Sequence, residues 1–302
     1  KGKAPKGGWP VITYAHGTTG IADSCAPSLD NGKNAAHAYS AYSYPLMNSW
    51  LKRGYAVVRT DYQGLGTPGT HEYLGGVSEG HSTLDIVLAS RRLDKGLSRR
   101  FVIAGHSQGG HAALWAAAQA ARWTPSLTLR GTVAFAPASH LSEQVGSVRA
   151  ITTPSGITGL LAMIVRGLDT TTPSSGVRAD LSGPAAALYP QTLTKCLVEL
   201  SRSDSFGGIA PSDLFRSDAD VDPVVKALDK SDPENLKITT PLLVAQGGKD
   251  TTVFPALTDQ LVQQYRDGGT KVDYHQYPDA DHVGAVLQGA GDATKWIDGR
   301  LR

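Results

Sequence analysis

Apolar residues recur along the chain in two alternating rhythms. Short, nearly continuous apolar runs predict strands at Trp9–Ala15, Tyr55–Thr60, Phe101–Ala104, Thr128–Ala136, Thr240–Gln246 and Lys271–Tyr277. Between them the apolar positions fall three or four apart. Tyr42, Leu46, Trp50 and Leu51 mark a helix over Ala38–Arg53, stopped by Gly54, and Leu84, Val87 and Leu88 mark one over Glu79–Lys95. An Ala-rich stretch after Ser107, the segment Pro255–Arg266 and a terminal stretch to about Leu301 read as further helices. Strands that alternate with helices of this length predict an α/β architecture, a mostly parallel sheet flanked by helices.

The rhythm breaks between residues 138 and 236. This stretch holds apolar helical pieces, Ile157–Leu168 and Pro184–Leu200, among loops rich in Ser, Thr, Gly, Asp and Pro, with no βαβ unit. The expected organisation is a core of 1–137 and 237–302, with 138–236 inserted as a mainly helical cap. The first eight residues, KGKAPKGG, read as a basic, flexible lead.

The junction of the Phe101–Ala104 run with the Ala-rich helix carries Gly105-His106-Ser107-Gln108-Gly109, a G-x-S-x-G sequence at a strand-to-helix turn. Such a turn strains the serine backbone, and glycines two residues either side let strand and helix approach. The serine oxygen then stands clear of the sheet. The Gln108 N–H lies at a helix N-terminus, where an oxyanion can be held. The chain has 34 glycines, so the pentapeptide alone is weak; the strand before it and the helix after it make the nucleophile reading the stronger one.

Serine needs a base within hydrogen-bond reach, and the base an orienting acid. Nine histidines compete for the role, and topology selects among them. Loops at the carboxyl ends of parallel strands gather on one edge. Asp250 in GGKDTTV and His282 in DADHV both follow late strands, giving the order Ser…Asp…His. Singly, Asp250 reads as a turn aspartate and His282 as a surface histidine; together with Ser107 they form a triad. The loop Asp61–Gly66 lacks the lysine and hydroxyl residue of a phosphate loop.

Composition adds limits. With 40% hydrophobic and 19% charged residues the chain is globular, and a scattered net charge of +2 gives no reason to expect nucleic acid. The longest uncharged apolar run, Ile157–Val165, is about half the length of a membrane span. Cys25 and Cys196 are too few for a zinc site; by themselves they read equally as two buried thiols or one long-range disulfide.

Three segments, YAHGTTGIADSCAPS, VVRTDYQGLGTPGTHEYLGG and GHSQGGHAALWAA, resemble the secretory lipase family of α/β-hydrolases, in particular its actinobacterial branch. The resemblance runs from about Trp9 to the C-terminus and is loose across 138–236. It implies the α/β-hydrolase fold, a Ser107–Asp250–His282 triad, a first oxyanion donor from Gln108 and a second from Thr18 or Thr19. It further implies a cap over an acyl tunnel, a disulfide between Cys25 and Cys196, and secretion. Members of the family carry some tens of residues, with a first pair of strands, ahead of the position of Lys1.

The expected activity is that of a serine esterase or lipase working through an acyl-enzyme, with no cofactor or metal. Its expected substrate is a small-molecule or lipid ester, with contact at a lipid interface but no transmembrane segment. An aminopeptidase or acyltransferase on the same fold is the alternative, the former needing acidic residues in the cap. A non-catalytic ligand-binding domain of the same fold is the third reading, and such domains usually lose a triad member.

Overall fold

A computed structural model describes residues 4–301; Lys1, Gly2, Lys3 and Arg302, placed above in the lead and in the core, lie outside it. In chain order the elements are β1 (Trp9–Ala15), α1 (His37–Ser40), α2 (Tyr44–Lys52), β2 (Ala56–Val58), α3 (Gly76–Leu93), β3 (Leu97–His106), α4 (Gln108–Trp123) and β4 (Thr128–Phe135). Then come α5 (Leu141–Arg149), α6 (Ile157–Thr171), α7 (Gly183–Leu188), α8 (Leu197–Leu200) and α9 (Asp222–Asp229). The chain returns to the sheet with β5 (Leu242–Gly247), α10 (Pro255–Asp267), β6 (Val272–Tyr277) and α11 (Gly284–Leu301).

The strands form one sheet in the order β2-β1-β3-β4-β5-β6, and all five pairings are parallel. Both faces are covered, which is why the central strands read as unbroken apolar runs: all six residues of β5 are buried. Alternate side chains serve opposite faces. Val11, Phe101 and Ile103 pack on Leu84 and Val87 of α3 and Ala113 and Ala116 of α4. Ile12, Tyr14, Val102 and Phe135 pack with Trp50 of α2 and Val286 and Ile297 of α11.

Residues 138–236 contribute no strand among the described residues. Met163, Val177, Tyr189, Phe206, Leu214 and Leu228 form an apolar cluster of their own, which Ile21, Tyr73 and Leu74 join from the loops after β1 and β2.

Three expectations need correction. The helix expected over Ala38–Arg53 is broken into α1, a single 3-10 turn at Ala41–Ser43 and α2, with Pro45 in the first turn of α2. The helix expected over Pro184–Leu200 is interrupted as well. After α7 a 3-10 turn with Pro190 in its first turn runs over Tyr189–Leu193, and Cys196 is extended (φ −85°, ψ 167°). The physical reason lies outside the segment: Cys196 is drawn into a bridge with Gly20 and a disulfide with Cys25, and helical backbone cannot make both. Residues 5–8 are also no loose lead, since Gly8 N donates to Pro5 O and Gly8 lies flat on Gly96–Ser98.

The Cys25–Cys196 disulfide closes a separation of 171 positions, with 5.5 Å between Cα atoms. Chain entropy assigns a closure of that length about 5 kcal/mol. The double variant Cys25→Ser, Cys196→Ser should therefore unfold several kcal/mol more easily in denaturant titration. Thiol titration of the unfolded, unreduced protein should find no free thiol; two would contradict the bridge.

The glycines at the β3–α4 junction give a second test. A Cβ on Gly105 would lie 2.0 Å from Gly109 O, and one on Gly109 would lie 2.0 Å from Ala15 O. Backbone cannot yield as a side-chain tip can, so Gly105→Ala or Gly109→Ala should cost about 3 kcal/mol or more or prevent folding. Gly146→Ala, in open space on α5, should instead stabilise by about 0.5–1 kcal/mol. Thermal unfolding of the three variants checks the contrast.

Candidate active site

Ser107 lies between β3 and α4 with φ +60° and ψ −121°, a region that costs a non-glycine residue about 1–3 kcal/mol. The surroundings hold it there. Ser107 N donates to Phe135 O at 2.9 Å, His111 N donates to Ser107 O at 3.0 Å, and both flanking glycines are in backbone contact.

Asp250 and His282 follow β5 and β6 on the same edge of the sheet. His282 Nδ1 donates to Asp250 Oδ2 at 2.7 Å. The carboxylate is held from three more directions: Thr252 N and Val253 N donate to Oδ1 at 2.8 and 2.9 Å, and Gln246 Nε2 donates to Oδ2 at 3.1 Å. With Nδ1–H committed to Asp250, Nε2 is left with a lone pair; it is buried and makes no hydrogen bond. Ser107 and His282 line one cavity of about 560 Å³, together with Thr18 and Tyr39. The sequence-predicted serine, aspartate and histidine thus come together at one place.

Thr18 and Thr19 are both buried beside it, and the structure separates them. Thr18 lines the cavity, and its hydroxyl is hydrogen-bonded to the Tyr73 hydroxyl at 2.9 Å. Thr19 is not on the cavity wall, and its carbonyl accepts from Leu197 N at 2.9 Å. The Gln108 side chain points down into the protein, donating from Nε2 to Glu79 Oε1 at 2.6 Å and to His71 Nε2 at 2.8 Å.

Several residues here were not singled out in the sequence. His106 Nε2 donates to the His282 carbonyl at 2.9 Å, and the two rings stand 4.5 Å apart. The Tyr42 hydroxyl donates to His106 Nδ1. Burial holds the His106 pKa well below the ordinary histidine range, so its ring stays neutral and does not compete with His282. His16, behind Gly17, is likewise lowered by burial to about 3. Tyr39 directs its hydroxyl toward Ser107, and burial raises its pKa, so it keeps its proton. Periodicity marks Tyr42 only as a helix position; the signals nearer the site are His106, the neighbour of the serine, and His16, at the head of the loop after the first strand.

A second, apolar cavity of about 70 Å³ is also lined by Ser107. Leu74, Leu141, Val148, Leu161 and Ile164 line it, with Gln108 but not His282. Among the described residues, no group of three or more His, Cys, Asp or Glu side chains is placed to hold a metal ion. Among the same residues, no helix is long and apolar enough to cross a membrane.

The fold is similar to that of Candida antarctica lipase A in its closed state, with a TM-score of 0.82 and 19% identity over 99% of this chain and 71% of that one. It is also similar to a ligand-bound form of the rice cell wall degrading esterase LipA from Xanthomonas oryzae, with a TM-score of 0.74 and 18% identity over 98% of this chain and 83% of that one. At these identities the likeness is one of fold, the α/β-hydrolase fold. In sequence, a Mycobacterium tuberculosis (strain CDC 1551 / Oshkosh) protein described as a probable inactive lipase is 25% identical over 318 residues, covering 99% of this chain and 67% of that protein. The model of the family described as "Secretory lipase" matches residues 37–302, which takes in every element from α1 to the end of the chain. On that match the chain belongs to the secretory lipase family.

Proposed function

We propose that the chain is a serine carboxylic-ester hydrolase, with Ser107 as nucleophile, His282 as base and Asp250 as the acid that orients it. The family and fold support ester hydrolysis as the reaction class. The observation that carries the residue assignment is the Asp250–His282 pair, whose unpartnered Nε2 shares a cavity with Ser107, a serine held in a strained backbone conformation. Ser107 Oγ attacks the ester carbonyl and passes its proton to Nε2. The Gln108 and Thr18 N–H groups receive the developing oxyanion, Thr18 being preferred to Thr19 because it alone faces the cavity. His282 then protonates the departing alkoxide, and a water activated by the same nitrogen releases the acid.

The two cavities divide the substrate between them. The leaving oxygen must lie where His282 can protonate it, so the alcohol part belongs in the larger cavity that His282 lines. The acyl chain then enters the apolar one. At about 70 Å³ that cavity is much the smaller of the two, which suits a short acyl chain. Residues 138–236 act as a cap in this reading: Ile157 and Leu160 of α6 stand between the two cavities. No cap residue lining either cavity is acidic, which favours an esterase over an aminopeptidase. The family name and the disulfide fit an extracellular location. A non-catalytic role is the second reading, suggested by the name of the Mycobacterium tuberculosis relative.

Ser107→Ala and His282→Ala should each lower p-nitrophenyl butyrate hydrolysis by about six orders of magnitude, and the double variant by little more. Substantial hydrolysis left in Ser107→Ala, or none in the wild type, would defeat the reading.

Across p-nitrophenyl esters, kcat/KM should rise several-fold from acetate to butyrate, by burial of each added methylene, and fall by octanoate. Leu160→Ala should move the optimum to longer chains, while aminoacyl-p-nitroanilides stay poor substrates. An optimum at palmitate in the wild type would refute the division of the cavities.

A further inference from the structure

The mechanism leaves two buried acids unused: Asp232, which accepts from His140 N and Leu141 N at the start of α5, and Glu79, which lies beside the site. Glu79, on α3, has no exposed surface. A carboxylate in that position needs partners; the structure supplies two N–H donors and an imidazole nitrogen, His111 Nδ1, whose ring commits Nε2 to the Ser231 carbonyl at 2.7 Å. Leu74 N donates to Oε1 at 2.9 Å, Gln108 Nε2 donates to Oε1 at 2.6 Å, and His111 Nδ1 meets Oε2 at 3.2 Å. The site is built by close packing of α3 on α4, where a Cβ on Gly76 would lie 2.1 Å from the Trp115 ring.

The partners lead to both proposed oxyanion donors. Gln108, which carries the first, spends both side-chain amide hydrogens in this cluster, one on Glu79 and one on His71 Nε2. His71 is set to accept, because its Nδ1 donates to Gln63 O at 3.1 Å. Leu74, held by its backbone N–H, sits at φ +57°, and Tyr73 beside it bonds the hydroxyl of Thr18, which carries the second donor. One carboxylate therefore sits at the root of two arms that end at the two N–H groups.

We propose that Glu79 is a positioning residue that sets the separation and aim of the Gln108 and Thr18 N–H groups, so that its substitution weakens oxyanion stabilisation rather than substrate binding. This rests on the ester-hydrolase reading above. A tetrahedral oxyanion needs both donors at about 2.7–3.1 Å, and loss of one such donor costs about 10²–10³ in kcat. Displacement of the pair falls within that range.

The test uses Glu79→Leu, which keeps much of the volume but removes the acceptor that holds Leu74 N and Gln108 Nε2. Gln108→Met is the second variant; it cuts the arm to the elbow while retaining the backbone N–H, and serves if Glu79→Leu does not fold. For folded variants, kcat on p-nitrophenyl butyrate should fall at least tenfold with KM changed less than threefold. Affinity for phenylboronic acid should fall by a similar factor, since its boron takes the Ser107 oxygen into a tetrahedral anion while His282 holds the proton. Wild-type kcat and boronate affinity in either folded variant would overturn the role of Glu79 and leave the hydrolase reading intact. A rise in KM alone would overturn it as well, making Glu79 a part of the substrate pocket only. Absence of Ser107-dependent hydrolysis and boronate binding in the wild type would overturn the hydrolase reading and this inference with it.

Discussion

The approach of β1, β3 and α4 around Ser107 constrains the rest of the structure. Gly109 lies so close to the carbonyl of Ala15, and Gly105 to that of Gly109, that no side chain fits at either position. This contact lifts Ser107 out of the sheet and holds it at a positive φ. It also fixes where the loop after β1 begins, because that loop starts at the same Ala15 and His16 carbonyls that Gly109 touches. The position of Ser107 and the start of the loop that holds Thr18 are thus set by one packing event. The strain at Ser107, about 1–3 kcal/mol, persists because apolar burial on both faces of the sheet surrounds it.

Polar groups near the strand ends follow a consistent rule. Asp250 accepts four hydrogen bonds and Glu79 two, from Leu74 N and Gln108 Nε2, while Gln246 reaches Asp250, the Val253 carbonyl and the Thr258 hydroxyl. Unpaired, each would cost a few kcal/mol in such an interior. Against that background the unpartnered Nε2 of His282 is informative. It is the nitrogen a general base would use, and it borders the cavity. The neutral His106 ring behind it anchors the His282 carbonyl, so the histidine is held at backbone and ring alike.

Residues 138–236 are attached to the sheet core at a point that matters to the site. The disulfide joins Cys196 to Cys25, Cys196 bridges Gly20, and Leu197 N donates to the Thr19 carbonyl. All three ties fall within or just after the loop that holds Thr18. The helical segment and the loop that holds Thr18 are therefore coupled mechanically; the wall of the apolar cavity comes largely from α5 and α6, and Ile157 and Leu160 of α6 also border the larger cavity. On the proposed reading, substrate selection and transition-state stabilisation share this attachment.

Much of this was legible in the chain itself. Apolar runs such as Leu242–Gly247, buried on both faces, can only be central strands, and they announced the parallel sheet. Parallel topology sends every strand's carboxyl end to one edge, so the placement of Ser107, Asp250 and His282 on that edge followed from their positions after strands. What the sequence could not decide is what depends on the meeting of distant segments. The helix expected at Pro184–Leu200 broke because Cys196 is bound to a loop 171 positions away. The choice between Thr18 and Thr19 rests on which one faces a cavity walled partly by α6. Glu79 lay in a helix whose periodicity identifies its apolar face, but periodicity says nothing of a carboxylate satisfied across a helix crossing by Gln108. Local pattern determines which elements form and where their ends point; only tertiary packing decides which buried polar groups find one another, because their partners come from other elements.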